Sequence, residues 1–396
     1  MKNISDISLA GKRVLIRVDF NVPLDEYFNI TDDSRMQAAL PTIRKVIKDG
    51  GKTIIMSHLG RPKNGFEARF SLKHTVKHLS DLLEIDVRFS SDCIGENTIS
   101  DIASMENGDV LILENLRFYP EEKAGNINFA KQLANLGDVY VNDAFGTAHR
   151  AHASTAVIAD YFPNDKYFGL LLINEINSLK IALDKPKRPF TAIIGGAKIT
   201  GKIDVITSLF DKVDNLIIGG GMAYTFAKAM GGTIGNSLVE EDKVELAKSL
   251  IADAQKKGVQ LLLPSDSINA DAFNNDATIQ KSEITNVPNG FMGLDIGEDS
   301  ITHFSTIILD SKTIIWNGPM GVFEMENFSN GTKKIGEAVC KATKSGAFSL
   351  VGGGDSVAAV KQFGFADKVS YISTGGGAML EYLEGKELPG VVAIQK

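Results

Sequence analysis

Short apolar runs recur along this chain, each cut off by glycine or polar residues and each succeeded by a stretch whose apolar positions have helical spacing. No other feature of the sequence limits the fold as strongly. A strand buried on both faces is apolar throughout, and a parallel neighbour can be reached only through a helix-length crossover. Runs alternating with helices therefore imply an α/β fold whose parallel sheets are covered on both sides. In the N-terminal half the runs are Val14 to Val18, Thr53 to Met56, Val110 to Leu113 and Val139 to Val141, with helices expected around Arg35 to Lys48, Leu72 to Leu83 and Phe129 to Leu136. In the C-terminal half they include Phe190 to Ile194, Leu216 to Ile218, Thr313 to Trp316, Ser349 to Val351 and the run beginning at Tyr371. At 396 residues the chain exceeds what one core holds, so two domains are expected. Leu172, Ile176, Leu179 and Leu183 form a helical stripe that ends before Pro186, which reads as one helix joining them.

The loop residues at the end of each run indicate the ligands. In an open parallel sheet the loops at the carboxyl ends of the strands share one rim, where ligands bind. In the first half these loops are Asp19-Phe20-Asn21, His58-Leu59-Gly60-Arg61-Pro62, Glu114-Asn115-Leu116-Arg117 and the stretch from Asn142 to Arg150. Arg61, Arg117, Arg150 and His58 should converge there, joined by Arg17 at the end of the first run and Arg35 at a helix start. Guanidinium forks match phosphate and carboxylate oxygens, so the expected ligand is a small, multiply charged anion.

In the second half the runs end in glycine instead: Gly195-Gly196, Gly219-Gly220-Gly221, Gly318 and Gly321, Gly352-Gly353-Gly354 and Gly375-Gly376-Gly377. A rim lined by backbone accommodates a polyphosphate and a flat base, which points to a nucleotide, although any one of these glycines could serve only close strand–helix packing. Asp355 opens a helix after Gly354, and beside phosphate it makes sense with a divalent metal between them. Gly196 to Ile203 fits G-x-x-x-x-G-K, but Ile203 stands where a P-loop needs a hydroxyl for magnesium, so a P-loop is excluded. Lys198 and Lys202 remain, expected on one face of a helix start. The net charge of −7 argues against a nucleic-acid partner, and no run reaches membrane-spanning length. Cys93 and Cys340 form no disulfide or metal pattern and fit reduced thiols in a cytoplasmic protein; His74 and His78, one helical turn apart, have no third ligand in view. These observations leave open a kinase, a dehydrogenase of a phosphorylated acid and a binding protein that closes without chemistry.

Arg17-Val18-Asp19-Phe20-Asn21, His58-Leu59-Gly60-Arg61-Pro62, Glu114-Asn115-Leu116-Arg117-Phe118, Gly195-Gly196-Ala197-Lys198, Trp316 to Glu324 and Gly352 to Ser356 resemble, in order, the motifs of the phosphoglycerate kinases. The resemblance implies two doubly wound, Rossmann-like domains: residues 1–170 for phosphoglycerate and 189–378 for nucleotide, with a hinge helix over 171–188 and a tail over 379–396 that returns to the first domain. It implies a monomer that transfers the acyl phosphate of 1,3-bisphosphoglycerate to ADP with Mg2+, giving 3-phosphoglycerate and ATP. By motif, Arg17, Asp19, Asn21, Arg35, His58, Leu59, Gly60, Arg61, Arg117 and Arg150 would bind phosphoglycerate. Gly196, Lys198, Lys202, Gly219, Gly220, Asn317, Glu324, Gly353, Gly354, Asp355 and Ser356 would bind nucleotide, with Asp355 on the metal. Arg35, Lys198, Gly375 and Gly376 would stabilise the transferring group, and the two rims would have to close together. One position departs from the family: Gly201 stands where an acidic residue is common before the second lysine.

Overall fold

The computed structural model describes residues 1–63 and 65–396, which divide into two compact units: Met1–Asn177 with Glu387–Lys396, and Ser178–Lys386. The division falls inside the helix Leu170–Leu183. The helix Gly377–Leu383 stays in the second unit, so the segment that belongs to the first unit begins at Glu387, later than the tail expected from 379.

The first unit is one six-stranded sheet, entirely parallel. Its strands are β1 (Arg13–Arg17), β2 (Lys52–Met56), β3 (Val87–Phe89), β4 (Val110–Ile112), β5 (Val139–Asn142) and β6 (Lys166–Phe168), in the order β3-β4-β2-β1-β5-β6. Val14, Ile16, Ile55, Ile112 and Val141 share a buried apolar core with Met36, Ile43 and Val46 of the helix Ser34–Lys48 and Leu79 of Lys73–Leu83. The returning helix Pro389–Gln395 is stitched in by Gly390, whose N–H donates to the Ala148 carbonyl at 2.8 Å and whose carbonyl accepts from Asn142 Nδ2 at 3.2 Å.

The second unit repeats the plan and adds to it. Its strands are β7 (Phe190–Ile194), β8 (Asn215–Ile218), β9 (Thr233–Ile234), β10 (Gln260–Leu262), β11 (Asp266–Ala270), β12 (Ile279–Glu283), β13 (Asn286–Val287), β14 (Met292–Ile296), β15 (Thr313–Asn317), β16 (Phe348–Val351) and β17 (Tyr371–Ile372). The parallel sheet runs β10-β8-β7-β15-β16-β17, and β12-β11-β14 form a separate antiparallel sheet. Trp316, the chain's one tryptophan, is fully buried in this unit's core.

Each sheet has a central reversal of strand order, between β1 and β5 in the first unit and between β7 and β15 in the second. Loops leave a sheet in opposite directions at such a reversal and open a crevice at the carboxyl edge. The rim there is tight in the second unit, where the Gly195 N–H donates to the Asn317 carbonyl and the Gly196 N–H to that of Pro319, both at 3.0 Å. A methyl group on Gly195 would meet the backbone oxygens of Pro319 and Gly318. Gly195→Ala should therefore destabilise the second unit by about 1–3 kcal/mol, the usual penalty for overpacking. Urea unfolding monitored by Trp316 fluorescence should show an earlier midpoint with an unchanged slope.

Candidate active site

In the first unit the reversal crevice is built on a buried cation. Arg17 ends β1 with 1% of its surface exposed. Its Nε donates to Ser154 Oγ at 2.8 Å, one terminal nitrogen donates to the Val18 carbonyl, and the other donates to His58 Nδ1 at 3.2 Å. Ser154 in turn donates its Oγ–H to Glu122 Oε1 at 2.6 Å and its N–H to Oε2 at 2.9 Å, so a buried carboxylate lies behind the arginine. The motif puts Arg17 in the basic patch itself; the structure places it beneath the patch, with each side-chain nitrogen already engaged by the protein.

The bond from Arg17 fixes the state of His58. An arginine can only donate, so Nδ1 accepts and the proton of the neutral ring sits on Nε2. Burial, with Arg17, Arg117 and Arg35 adding to it against Asp19, holds His58 well below its ordinary pKa. Asp19 behaves oppositely: burial pushes its carboxyl up, but His58 when charged, Arg35 and Arg17 outweigh that, and it lies below its ordinary value. Arg35 pairs with Asp19 at 3.0 Å and donates to the Asn21 carbonyl at 3.2 Å. Asn21 Oδ1 accepts the Gly60 N–H at 2.7 Å, and the Gly60 carbonyl accepts from Arg117 at 2.8 Å. Leu59 is tied by its carbonyl to Asn115 Nδ2 at 2.7 Å. Asp19, Asn21, Arg35, His58, Gly60 and Arg117 therefore form one bonded cluster. Arg61 and Arg150 stand exposed to solvent. A cavity of about 240 Å³ adjoins the cluster at Asn21, Leu59 and Gly60.

In the second unit the cation at the reversal is Lys202. Its ammonium donates to the Gly195 carbonyl at 2.8 Å, the Asn317 carbonyl at 2.9 Å and Asn317 Oδ1 at 2.6 Å, so all its donors join the β7 loop to the β15 loop. Burial lowers its pKa to about 8 against the pull of Asp355. Gly318, at φ +106°, leaves the space this ammonium occupies, since a Cβ there would stand 2.8 Å from Nζ. The two lysines do not share a helical face. The helix starts only at Ile203, because Lys202 N–H closes a turn on the Ile199 carbonyl at 2.7 Å, and Lys198 lies exposed before that turn.

The glycines divide into two groups. A Cβ on Gly219 would strike Met320, one on Gly220 would stand 2.5 Å from Gly196 N, one on Gly352 would strike Met379, and one on Gly353 would stand 2.8 Å from Asn317 Nδ2. Those positions keep the rim loops in close contact. Gly196, Gly354 and Gly376 have no backbone in the way and can face a ligand. A cleft of about 490 Å³ opens here, with Gly196, Gly220, Pro319, Glu324 and Asp355 on its wall. Asp355 is exposed in the first turn of the helix Gly354–Gln362, while Ser356 Oγ accepts the Gly318 N–H. An exposed carboxylate at a glycine-rich rim fits magnesium, which takes one or two carboxylates and completes its shell with phosphate and water. Gly375 donates its own N–H to Ser373 Oγ at 3.0 Å, so help from this loop must come through the amides that come after it.

Three residues of the site carry no signal in the sequence. Glu122 sits in Pro120–Lys123, which reads as a solvated helix; Ser154 belongs to no motif; and Glu240, which grips the Lys198 turn, lies in an acidic run that resembles an ordinary helix start. Nothing in their local sequence marks them.

A family model described as phosphoglycerate kinase matches residues 4–386. The phosphoglycerate kinase of Porphyromonas gingivalis is 55% identical and that of Chlorobaculum tepidum 54%, each alignment covering 99% of both chains. Among solved structures, that of phosphoglycerate kinase from Coxiella burnetii gives a TM-score of 0.89 at 42% identity, covering 99% of this chain and 98% of that one. The enzyme from Pyrococcus horikoshii OT3 gives 0.86 at 30% identity, covering 100% and 98%.

A half-buried histidine makes stability depend on pH. His152, 3.9 Å from Glu122, is lowered to about 4 by burial and then by Arg17, Arg117 and Arg150. A base with a lowered folded pKa takes up its proton first in the unfolded chain, so stability is unaffected above about pH 6.5 and falls as pH drops toward 4. His152→Asn should remove about 2–3 kcal/mol of that acid loss, measured as urea midpoints from pH 7 to pH 4.

Proposed function

The chain belongs to the phosphoglycerate kinase family, and from that premise we propose how its residues transfer the acyl phosphate of 1,3-bisphosphoglycerate to ADP. It is a kinase with a glycolytic role. The observation that carries the residue-level reading is the cleft at the β7/β15 reversal, where backbone, Glu324 and Asp355 line a space suited to a nucleotide.

On this reading the first unit's cluster holds phosphoglycerate. Arg35, Arg61, Arg117 and Arg150 supply charge-assisted donors, Asn21 orients, and His58 offers a neutral Nε2–H to a carboxylate oxygen. Asp19 acts through Arg35, whose fork it fixes. The nucleotide lies in the second unit's cleft with Glu324 toward its ribose and its phosphates toward Lys198 and the Gly353–Ser356 turn. Magnesium, held by Asp355, would neutralise charge on the phosphates. Lys202 takes part as the tie between loops and as a fixed positive field, since its donors are engaged.

No general base is assigned. In the forward direction the leaving group is a carboxylate, and in reverse the nucleophile is already ionised at neutral pH. The protein's task is then in-line positioning and charge stabilisation by Arg35, Lys198 and the amides beyond Gly375. Because phosphoglycerate and nucleotide are assigned to different units, transfer requires that the two ligands be brought together, which also excludes water from the acyl phosphate. We read the enzyme as a cytoplasmic monomer that needs no nucleic acid; among the described residues no helix is long and apolar enough to cross a membrane.

A coupled assay should show ATP formation from 1,3-bisphosphoglycerate and ADP that EDTA abolishes and Mg2+ restores. Lys198→Ala should lower kcat about 10²- to 10³-fold, the usual loss of a donor to developing charge, with an unchanged circular dichroism spectrum. Wild-type turnover in that variant would remove Lys198 from its role.

A further inference from the structure

One carboxylate holds the turn that carries Lys198. Glu240 Oε2 accepts the Ile199 N–H at 2.5 Å and the Thr200 N–H at 3.3 Å, and Oε1 accepts the Thr200 hydroxyl. Glu240 lies 40 residues beyond Thr200, in the segment between β9 and the helix Val244–Lys256. That segment is itself anchored. The Glu240 N–H donates to Thr225 Oγ1 at 3.2 Å, and Glu241 pairs with Lys228 at 2.5 Å, both partners lying on the helix Met222–Ala229. Leu238, two residues earlier, lines the nucleotide cleft. A Cβ on Gly221 would stand 3.0 Å from the Ala197 carbonyl and 3.1 Å from Leu238 Cδ2, so the lysine turn and this segment flank the same glycine.

Besides Glu240, the turn is held by the buried Ile199 side chain and, at its far end, by the Lys202 ammonium. Its internal bond is the single Lys202-to-Ile199 contact, and Gly201 has nothing within 4 Å of a Cβ position. A glycine in an open turn adds backbone freedom, and Lys198 has a long, exposed side chain. Glu240 also engages the Ile199 and Thr200 amides that would otherwise be open to an anion, so this turn meets phosphate through the lysine and not through those amides.

We propose that Glu240 is a positioning residue for Lys198, coupling the cleft wall at Leu238 to the cation that meets the transferring phosphate. The inference rests on the role given to Lys198 under the proposed function. A displacement near 1 Å at such a group costs on the order of 100-fold in rate, so Glu240→Ala should lower kcat between about 10- and 100-fold while leaving the KM for 3-phosphoglycerate unchanged. Glu240→Gln keeps an acceptor oxygen and should recover most of the loss, and it serves as the test if the alanine variant does not fold. In a Lys198→Ala background, Glu240→Ala should add less than about a 2-fold loss, because a residue acting through another has nothing left to position. An unchanged kcat in the folded variant, or an equal loss in both backgrounds, would overturn the inference. Failure of the wild-type chain to form ATP would instead bring down the kinase reading, and this inference with it.

Discussion

Each unit depends on a cation buried where its strand order reverses. At that point two loops diverge from adjacent parallel strands, and their backbone carbonyls face a crevice that neither loop can close. Arg17 fills the crevice between β1 and β5, and Lys202 fills the one between β7 and β15. Removing a charge from water costs several kcal/mol unless its donors find acceptors; the three Lys202 donors do, and each side-chain nitrogen of Arg17 makes one bond, with carbonyl, hydroxyl, amide or imidazole partners. Neither needs to touch a ligand to matter. At an effective dielectric constant near 20, a fixed charge about 6 Å from a phosphate oxygen is worth about 3 kcal/mol. A buried cation in a ligand-binding crevice therefore serves both as mortar and as a standing field.

The same constraint explains why the two rims differ in composition. On the proposed assignment of ligands, a small acid with dense charge calls for several side-chain forks on a short perimeter, and the β1, β2 and β4 loops supply them through mutual bonds among Arg35, Asp19, Asn21, Gly60 and Arg117. A nucleotide needs room first. The second rim gains it by pressing its loops against one another at Gly219, Gly220, Gly352 and Gly353, which leaves the cleft open beside them. Of the two explanations that compete for glycine in the sequence, packing accounts for Gly219, Gly220, Gly352 and Gly353, while Gly196, Gly354 and Gly376 are left open to a ligand.

This bears on what the sequence could disclose. The central strands were legible because burial on both faces makes them uniformly apolar. The edge strands β3 and β10 were not: with Arg88 in one and Gln260 in the other, three residues at a sheet edge carry no pattern. The antiparallel β12, with Ile279 and most of its neighbours exposed, reads as loop. The residues that gather at the two rims were legible wherever a motif sits at a strand end. Their supports were not, because Glu122, Ser154 and Glu240 come from remote segments and show no local signature; only three-dimensional proximity gives them meaning. The paired lysines suggest a shared helix face, and spacing alone cannot reveal a turn closed by Lys202 on Ile199 in its place.

The ionisable groups that remain bear on the chemistry. His58 is held neutral by Arg17 and by burial, and His152 is lowered to about 4, so neither is poised to take a proton near pH 7. Asp143 and Asp295 are pushed up to about 7 by burial, the range a general base would need. Each is tied to a helix start: Asp143 accepts the Leu172 N–H on Oδ1 in the first turn of Leu170–Leu183, and Asp295 accepts the Ile296 N–H on Oδ1 and, on Oδ2, the Gly331 N–H in the first turn of Asn330–Lys344. Both are carboxyls drawn to the positive ends of helices, and their raised values reflect the cost of burying them there. A reaction that moved a proton at the substrate would require one such group free and facing the ligand. Phosphoryl transfer between two anions does not, and a site of fixed donors with its titratable neighbours tied into the fold matches that requirement.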